Sequence, residues 1–200
     1  MRRAGTARRL SLPDGMKNGW QCLPYGMAHS IPYYGVRSGK LGRSPVLRAS
    51  MRASTFRHLL NLWPPFLVNA IRLQSLSDDY TEAKVVLRLR PWNRNYVKSQ
   101  FGGNLFAMVD PFWMLLAMHQ LGGDYYVWDK AGSIDFVAPG YEDVYAHFKL
   151  DAGVVEELRT AAAGGEKVLR WFETEVTTAS GKVVAVVRKQ IYVRLKPKAR

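Results

Sequence analysis

The sequence predicts an α+β domain in which a mainly antiparallel sheet wraps around one long central helix. Three observations predict it. Strand-length stretches recur with period-two patterning, the clearest at residues 82–90, where Val85, Leu87 and Leu89 share one face. One apolar stretch, residues 103–121, has the length of a long buried helix and is closed by Gly122-Gly123. At the C-terminal end, residues 167–178 and 182–196 flank Ala179-Ser180-Gly181, a hairpin signal. The resulting order is helix, two strands, long helix, two strands, short helix, hairpin, which fits an α+β pattern.

In order along the chain, residues 54–62 read as a helix carrying Phe56, Leu59 and Leu60, stopped by Pro64-Pro65. Residues 70–76 and 82–90 read as strands, the second ended by Pro91. The long helix at 103–121 contains Pro111, which lacks an N–H and should kink it at Ala107. Residues 125–137 and 144–150 read as strands separated by the Pro139-Gly140 turn. Residues 151–163 read as a helix with Val154, Val155 and Leu158 on one side, followed by Gly164-Gly165.

Charge divides the chain unevenly. The net charge is +13, and residues 1–50, with nine basic residues and Asp14 as their single acid, carry +8 of it. Residues 1–50 also lack a sustained period and contain Arg2-Arg3, Arg8-Arg9 and a Gly- and Ser-rich stretch at 35–45. They read as a basic extension, disordered or artefactual, with Met51 as an alternative start; an Arg-rich transit peptide is the competing reading. Residues 51–200 read as the folded domain. They are only mildly basic, which argues against a nucleic-acid partner and suits a ligand carrying phosphates. The single Cys22 excludes an internal disulfide and a multi-cysteine zinc site, and points to a reducing, cytoplasmic setting. The apolar stretch 105–121 is interrupted by Asp110, Pro111, His119 and Gln120, so no membrane span is expected.

Several chemical signatures are absent. The chain has no phosphate-binding Gly-Lys-Ser/Thr loop, no dinucleotide Gly-x-Gly-x-x-Gly and no Gly-x-Ser-x-Gly elbow. His58, His119 and His147 are scattered, so neither a metal nor a cofactor is expected. The residue that stands out is Asp110, a carboxylate inside an apolar segment. Such a group is costly unless paired, hydrogen-bonded or used. Asp110-Pro111 equally matches a helix N-cap followed by proline at the first helical position. On the residues alone both readings stay open.

A spaced pattern surrounds this residue. Asn95 is followed six residues on by Phe101-Gly102-Gly103, and Asp110 stands nine residues after Phe101. Leu105-Phe106-Ala107-Met108 lies between them, and Ser133-Ile134-Asp135-Phe136-Val137-Ala138-Pro139-Gly140 lies downstream. Together these resemble the hotdog-fold superfamily, in particular the PaaI-like acyl-CoA thioesterases. With Trp92-Asn93-Arg94-Asn95 and Trp128-Asp129-Lys130 added, the resemblance is closest to a little-studied bacterial branch of unknown function. In that family the pattern is Asn, then His-Gly-Gly, then Asp on the central helix. Here Phe101 replaces the His, Lys98 stands where the family often has Gly, and Pro111 follows the acid.

The resemblance implies a hotdog domain over residues 51–200 that hydrolyses acyl-CoA thioesters at a site between subunits of a dimer or a dimer of dimers. The alternative it leaves is a hotdog protein that binds acyl-CoA or lipid without catalysis. Thioester hydrolysis needs a polarised carbonyl and an activated water or carboxylate nucleophile. Asp110 is the candidate base or nucleophile. The Gly103 amide is the candidate oxyanion donor, and Asn95 would orient the carbonyl or the water. Phe101 and Gly102 would contact substrate, while Arg90, Arg94, Lys98 and Lys130 are candidates for the nucleotide phosphates. Trp113, Met114, Tyr126 and Trp128 suggest an apolar pocket, and each fits the core equally well. Gly103 and Asp110 would lie about 10 Å apart along one helix, so a single thioester would reach both only across two chains.

Overall fold

The computed structural model describes residues 51–197. The basic residues 1–50 lie outside them. One six-stranded sheet, antiparallel at every pairing, curves around an α-helical centre. The strands are β1 (Ile71–Leu76), β2 (Glu82–Leu87), β3 (Tyr125–Phe136), β4 (Val144–Lys149), β5 (Val168–Thr178) and β6 (Val183–Leu195). Their spatial order is β1-β2-β4-β5-β6-β3. The hairpin expected at the C-terminal end is the β5–β6 pair, turning through Gly181 at φ 85°. This is the hotdog architecture that the motifs implied.

The helices are α1 (Ala53–Leu62), α2 (Pro64–Val68), α3 (Gly102–Ala107), α4 (Phe112–Leu121) and α5 (Ala152–Ala162). Pro64-Pro65 ends α1 as expected, but it also starts α2, because proline at the first helical positions forfeits only donors that have no partner there. The expected helix at 103–121 is two helices with a turn over residues 108–111 between them. Pro111 is the cause: it has no N–H for the Ala107 carbonyl, and the break is larger than the expected kink.

The core lies between the α3–α4 segment and the concave sheet face. Leu105, Met108, Val109, Phe112, Trp113, Leu116 and Ala117 are buried against Val85, Leu87, Phe148, Val176, Val187 and Ile191. Burying a side chain such as Phe112 stabilises by about 1.5–3 kcal/mol. Trp113 stacks on Phe172 at 4.5 Å and donates its indole N–H to Thr174 Oγ1 at 2.8 Å. It is therefore a core residue and not a pocket wall, and the half-buried Met114 packs on the same core. Tyr126 and Trp128 are exposed, and Trp128 stacks on Tyr192 at 4.5 Å. Of the two readings the sequence left open, Trp113 and Met114 take the core one, while Tyr126 and Trp128 lie exposed on β3.

Candidate functional site

The Asn95 loop precedes α3 and is held by its own side chains. Asn95 Nδ2 donates to Ser99 Oγ at 2.7 Å, and Asn95 Oδ1 accepts from the Ser99 amide at 3.0 Å. Lys98 sits at φ 65°, the left-handed region where glycine is least strained. That accounts for Gly being common there in the resembling family. The polar atoms of Asn95 are thus engaged in shaping the loop.

Phe101 precedes α3 in extended backbone, with its ring 53% exposed. The carbonyl of Phe101 accepts from the Asn104 and Leu105 amides. No acceptor among the described residues takes the Gly102 or Gly103 N–H. Both glycines are crowded by aromatic rings. A Cβ at Gly102 would lie 2.7 Å from Phe136 Cζ, and one at Gly103 would lie 2.5 Å from Phe101 Cε1.

Beside this helix start lies an open cavity of about 380 Å³, lined by Asn95, Gln100, Gly102, Leu105 and Phe136 among others. Gln100 is 3% exposed. It donates from Nε2 to the carbonyls of Leu87 and Glu142 at 3.2 and 3.1 Å, while its Oε1 is buried without a partner. The two carbonyl acceptors fix which end of the amide is which.

Asp110 lies in the turn between α3 and α4, and its side chain is 49% exposed. It does not cap α4: the capping position is Pro111, with no side-chain hydrogen bond. Instead Lys189 Nζ donates to Asp110 Oδ1 at 2.5 Å. Lys189 is 4% exposed, and its ammonium also stands 3.5 Å from Asp129 Oδ1 and 5.2 Å from the Phe106 ring centroid. The contact to Asp129 is close enough for attraction but too long for a good hydrogen bond, so Asp129 Oδ1 is buried without a well-formed partner. Burial pushes the Asp129 carboxyl up from its ordinary value; the Asp110 charge adds to the rise and Lys189 opposes it.

Local folding accounts for this cluster. On β6 the inward positions are Val187, Lys189, Ile191 and Val193, so Lys189 holds a core position. On β3, Val127 and Asp129 oppose Val193 and Ile191, and the register then skips Lys130. This bulge re-aims the strand, and Gly132 comes to oppose Lys189. A Cβ at Gly132 would lie 2.7 Å from Phe106 Cζ and 3.1 Å from Lys189 Cδ.

The sequence-selected residues therefore separate into three groups. Asn95 and Gly102 line one cavity, with Gly103 exposed beside them. Asp110 belongs to the lysine cluster and lies outside that lining. Arg94, Lys98 and Lys130 are exposed and do not line the cavity, and Arg94 Nε donates to the Arg90 carbonyl at 3.4 Å. Sequence reasoning missed Lys189, Asp129 and Gln100. The signal for Lys189 was present: a lysine on the apolar parity of a strand. Among the described residues no group of three His, Cys, Asp or Glu side chains could hold a metal, and no helix is long and apolar enough to cross a membrane.

Known structures share this architecture. A Pseudomonas aeruginosa protein of unknown function, described as a probable thioesterase, superposes with a TM-score of 0.64 at 22% identity, over 72% of this chain and 97% of that one. A Chlorobaculum tepidum protein of unknown function gives a TM-score of 0.57 at 15% identity, over 72% of this chain and 94% of its own. A Haemophilus influenzae thioesterase gives 0.54 at 12% identity, over 73% and 92%. At such identities the likeness shows the fold. No curated protein matches the chain. A family model does match, over residues 52–193, and the chain belongs to that family, a domain of unknown function designated DUF4442.

Proposed function

We propose that the protein is an acyl-CoA thioester hydrolase whose site forms between two subunits. The observation that carries this reading is the Asp110 carboxylate, half-exposed at a helix break and gripped through one oxygen by a buried ammonium. Its other oxygen is left to act as a base toward water or as a nucleophile toward a thioester carbonyl. The unbonded Gly102 and Gly103 amides suit a developing oxyanion, a contribution commonly worth about 3–4 kcal/mol. Asn95, by holding its loop, sets the cavity wall beside them. Phe101 and Gly102 would touch the substrate, and Arg94, Lys98 and Lys130 would meet the CoA phosphates. The thioesterase descriptions of two of the structural neighbours agree with this chemistry.

Assembly follows from reach. Gly103 and Asp110 lie at opposite ends of α3 and its turn, and the six-residue α3 alone is about 9 Å long. One thioester meets both groups when they come from two copies. Among the described residues β3 is an edge strand of 12 residues with one backbone side unpaired, a surface suited to pairing with a second copy. A dimer, or a dimer of dimers, is the proposed assembly, with no cofactor and no nucleic acid. Residues 1–50 are proposed as a separate basic extension, and the cytoplasm as the setting.

One observation favours a second reading. The exposed Phe101 ring stands over Gly103, where the resembling family has an imidazole, and it cannot donate or accept a proton. In that reading the protein binds acyl-CoA or lipid without turnover. Free-thiol release from a panel of short, medium, long and aromatic acyl-CoAs, with the mass in solution measured by light scattering, separates the two. Turnover by a species of at least dimer mass supports the hydrolase. Saturable acyl-CoA binding with no thiol release supports the binding protein.

A further inference from the structure

We propose that Lys189 is a positioning residue for Asp110 and that Asp129 is the counter-carboxylate that holds Lys189 in place. The inference rests on the reading of Asp110 as the group that acts on the thioester. Three elements converge on one ammonium: the α3–α4 turn brings Asp110 to 2.5 Å, β3 brings Asp129 to 3.5 Å, and α3 lays the Phe106 ring 5.2 Å away. Across the sheet, Lys189 is opposed by Gly132 on β3 and Phe172 on β5, so among the described residues Asp110 and Asp129 are the ionisable groups that face it.

A lysine at a core position is costly to desolvate and persists when its charge is paired. Two features of the fold exist around it: the bulge at Lys130, and a glycine whose Cβ would collide with Phe106 and the lysine stem. The three charged groups are unequally buried. Here Asp110 is 49% exposed while Asp129 is 24% exposed and Lys189 is buried. The cluster is therefore polarised: its buried half fixes the ammonium, and the ammonium fixes the carboxylate that faces outward. Because Lys189 engages Oδ1, that oxygen is anchored and Oδ2 is the one left for chemistry. Lys189 itself is too buried to touch substrate.

The test uses the full chain with Lys189→Met, which keeps an apolar stem, and Lys189→Arg, which restores the charge. Carboxyl-carbon NMR follows the Asp129 titration, and thioester kinetics are measured across pH. Lys189→Met is expected to lower kcat about 10- to 100-fold, with KM nearly unchanged, because a misplaced group loses that much. Lys189→Arg is expected to recover part of it. The Asp129 titration should move up in Lys189→Met, which removes an attracting cation, and down in Asp110→Asn, which removes a repelling anion. Should Lys189→Met not fold, the downward movement in Asp110→Asn makes the same test from the other partner. An unchanged kcat in Lys189→Met, or an Asp129 titration indifferent to both substitutions, overturns the inference. A wild type that releases no thiol while Asp129 responds as stated overturns the hydrolase reading and leaves the positioned carboxylate standing.

Discussion

Replacing Gly132 by alanine tests the packing under the candidate site. The added Cβ would lie 2.7 Å from Phe106 Cζ, 3.2 Å from Phe106 Cε2 and 3.1 Å from Lys189 Cδ. Carbon atoms prefer about 3.5–4.0 Å, so both neighbours must move by several tenths of an ångström or more. Neither is free to do so. Phe106 packs on the core and lies beside the ammonium, and the Lys189 stem is buried with its head tied to Asp110. Overpacking of this kind costs about 1–3 kcal/mol. Alanine also restricts the unfolded chain, which returns about 0.4–1 kcal/mol, since Gly132 is not at positive φ. The expected net loss is about 1.3 kcal/mol at mid-range and at most about 2.6 kcal/mol, read as a lower urea midpoint at constant slope. Gly103→Ala is the control, because its neighbour is the exposed tip of Phe101 and it should stay within about 0.5 kcal/mol. A Gly132→Ala protein more stable than wild type would refute the packing argument.

Three further outcomes are expected. Trp113→Phe removes the donor to the buried Thr174 hydroxyl and part of the stack on Phe172, and should cost about 1–3 kcal/mol in chemical denaturation. His119 stacks on Tyr80 at 3.7 Å, and burial holds its pKa below the ordinary 6.5. A depressed folded pKa gives stability that is present above 6.5 and lost as pH falls through the depressed value, so His119→Gln should flatten the acid limb of Tm against pH. Asp129 has the opposite sign. Its raised carboxyl gives stability that is complete below 3.8 and lost as pH rises through the raised value, so Asp129→Asn should gain on wild type across that window in pH-dependent melts.

The fold was legible because its signals are local. Alternation at residues 82–90 and the hairpin around Gly181 each specify one strand or one turn, and the strands lie within a residue or two of the expected ranges except at the end of β2. The helix at 103–121 was legible in length but not in continuity. Pro111 was visible, but whether the chain kinks or breaks there depends on what receives the freed segment, here the Lys189 ammonium. The candidate site was half legible. Asn95, Gly102, Gly103 and Asp110 came from a spaced motif, whereas Lys189 lies 79 residues from Asp110 and meets it only where the α3–α4 turn packs beside β6. Asp129 shares the inward face with Val127 by alternation, but the bulge at Lys130 that brings Gly132 opposite Lys189 is not revealed by alternation alone. Trp113 fitted pocket and core equally because burial and ligand contact leave the same mark on a sequence.

The most direct test of the central claim is thiol release from the best acyl-CoA by wild type and by Asp110→Asn. Asparagine keeps the volume and one acceptor but can neither take a proton nor attack as an anion. Wild type is expected to turn over, and the variant to show a fall in kcat of about 100-fold or more, with melting temperature changed by only a few degrees. A variant that hydrolyses at the wild-type rate would show that Asp110 is not the reacting group. A wild type that binds the same acyl-CoA but releases no thiol would contradict the hydrolase account and make this a binding protein.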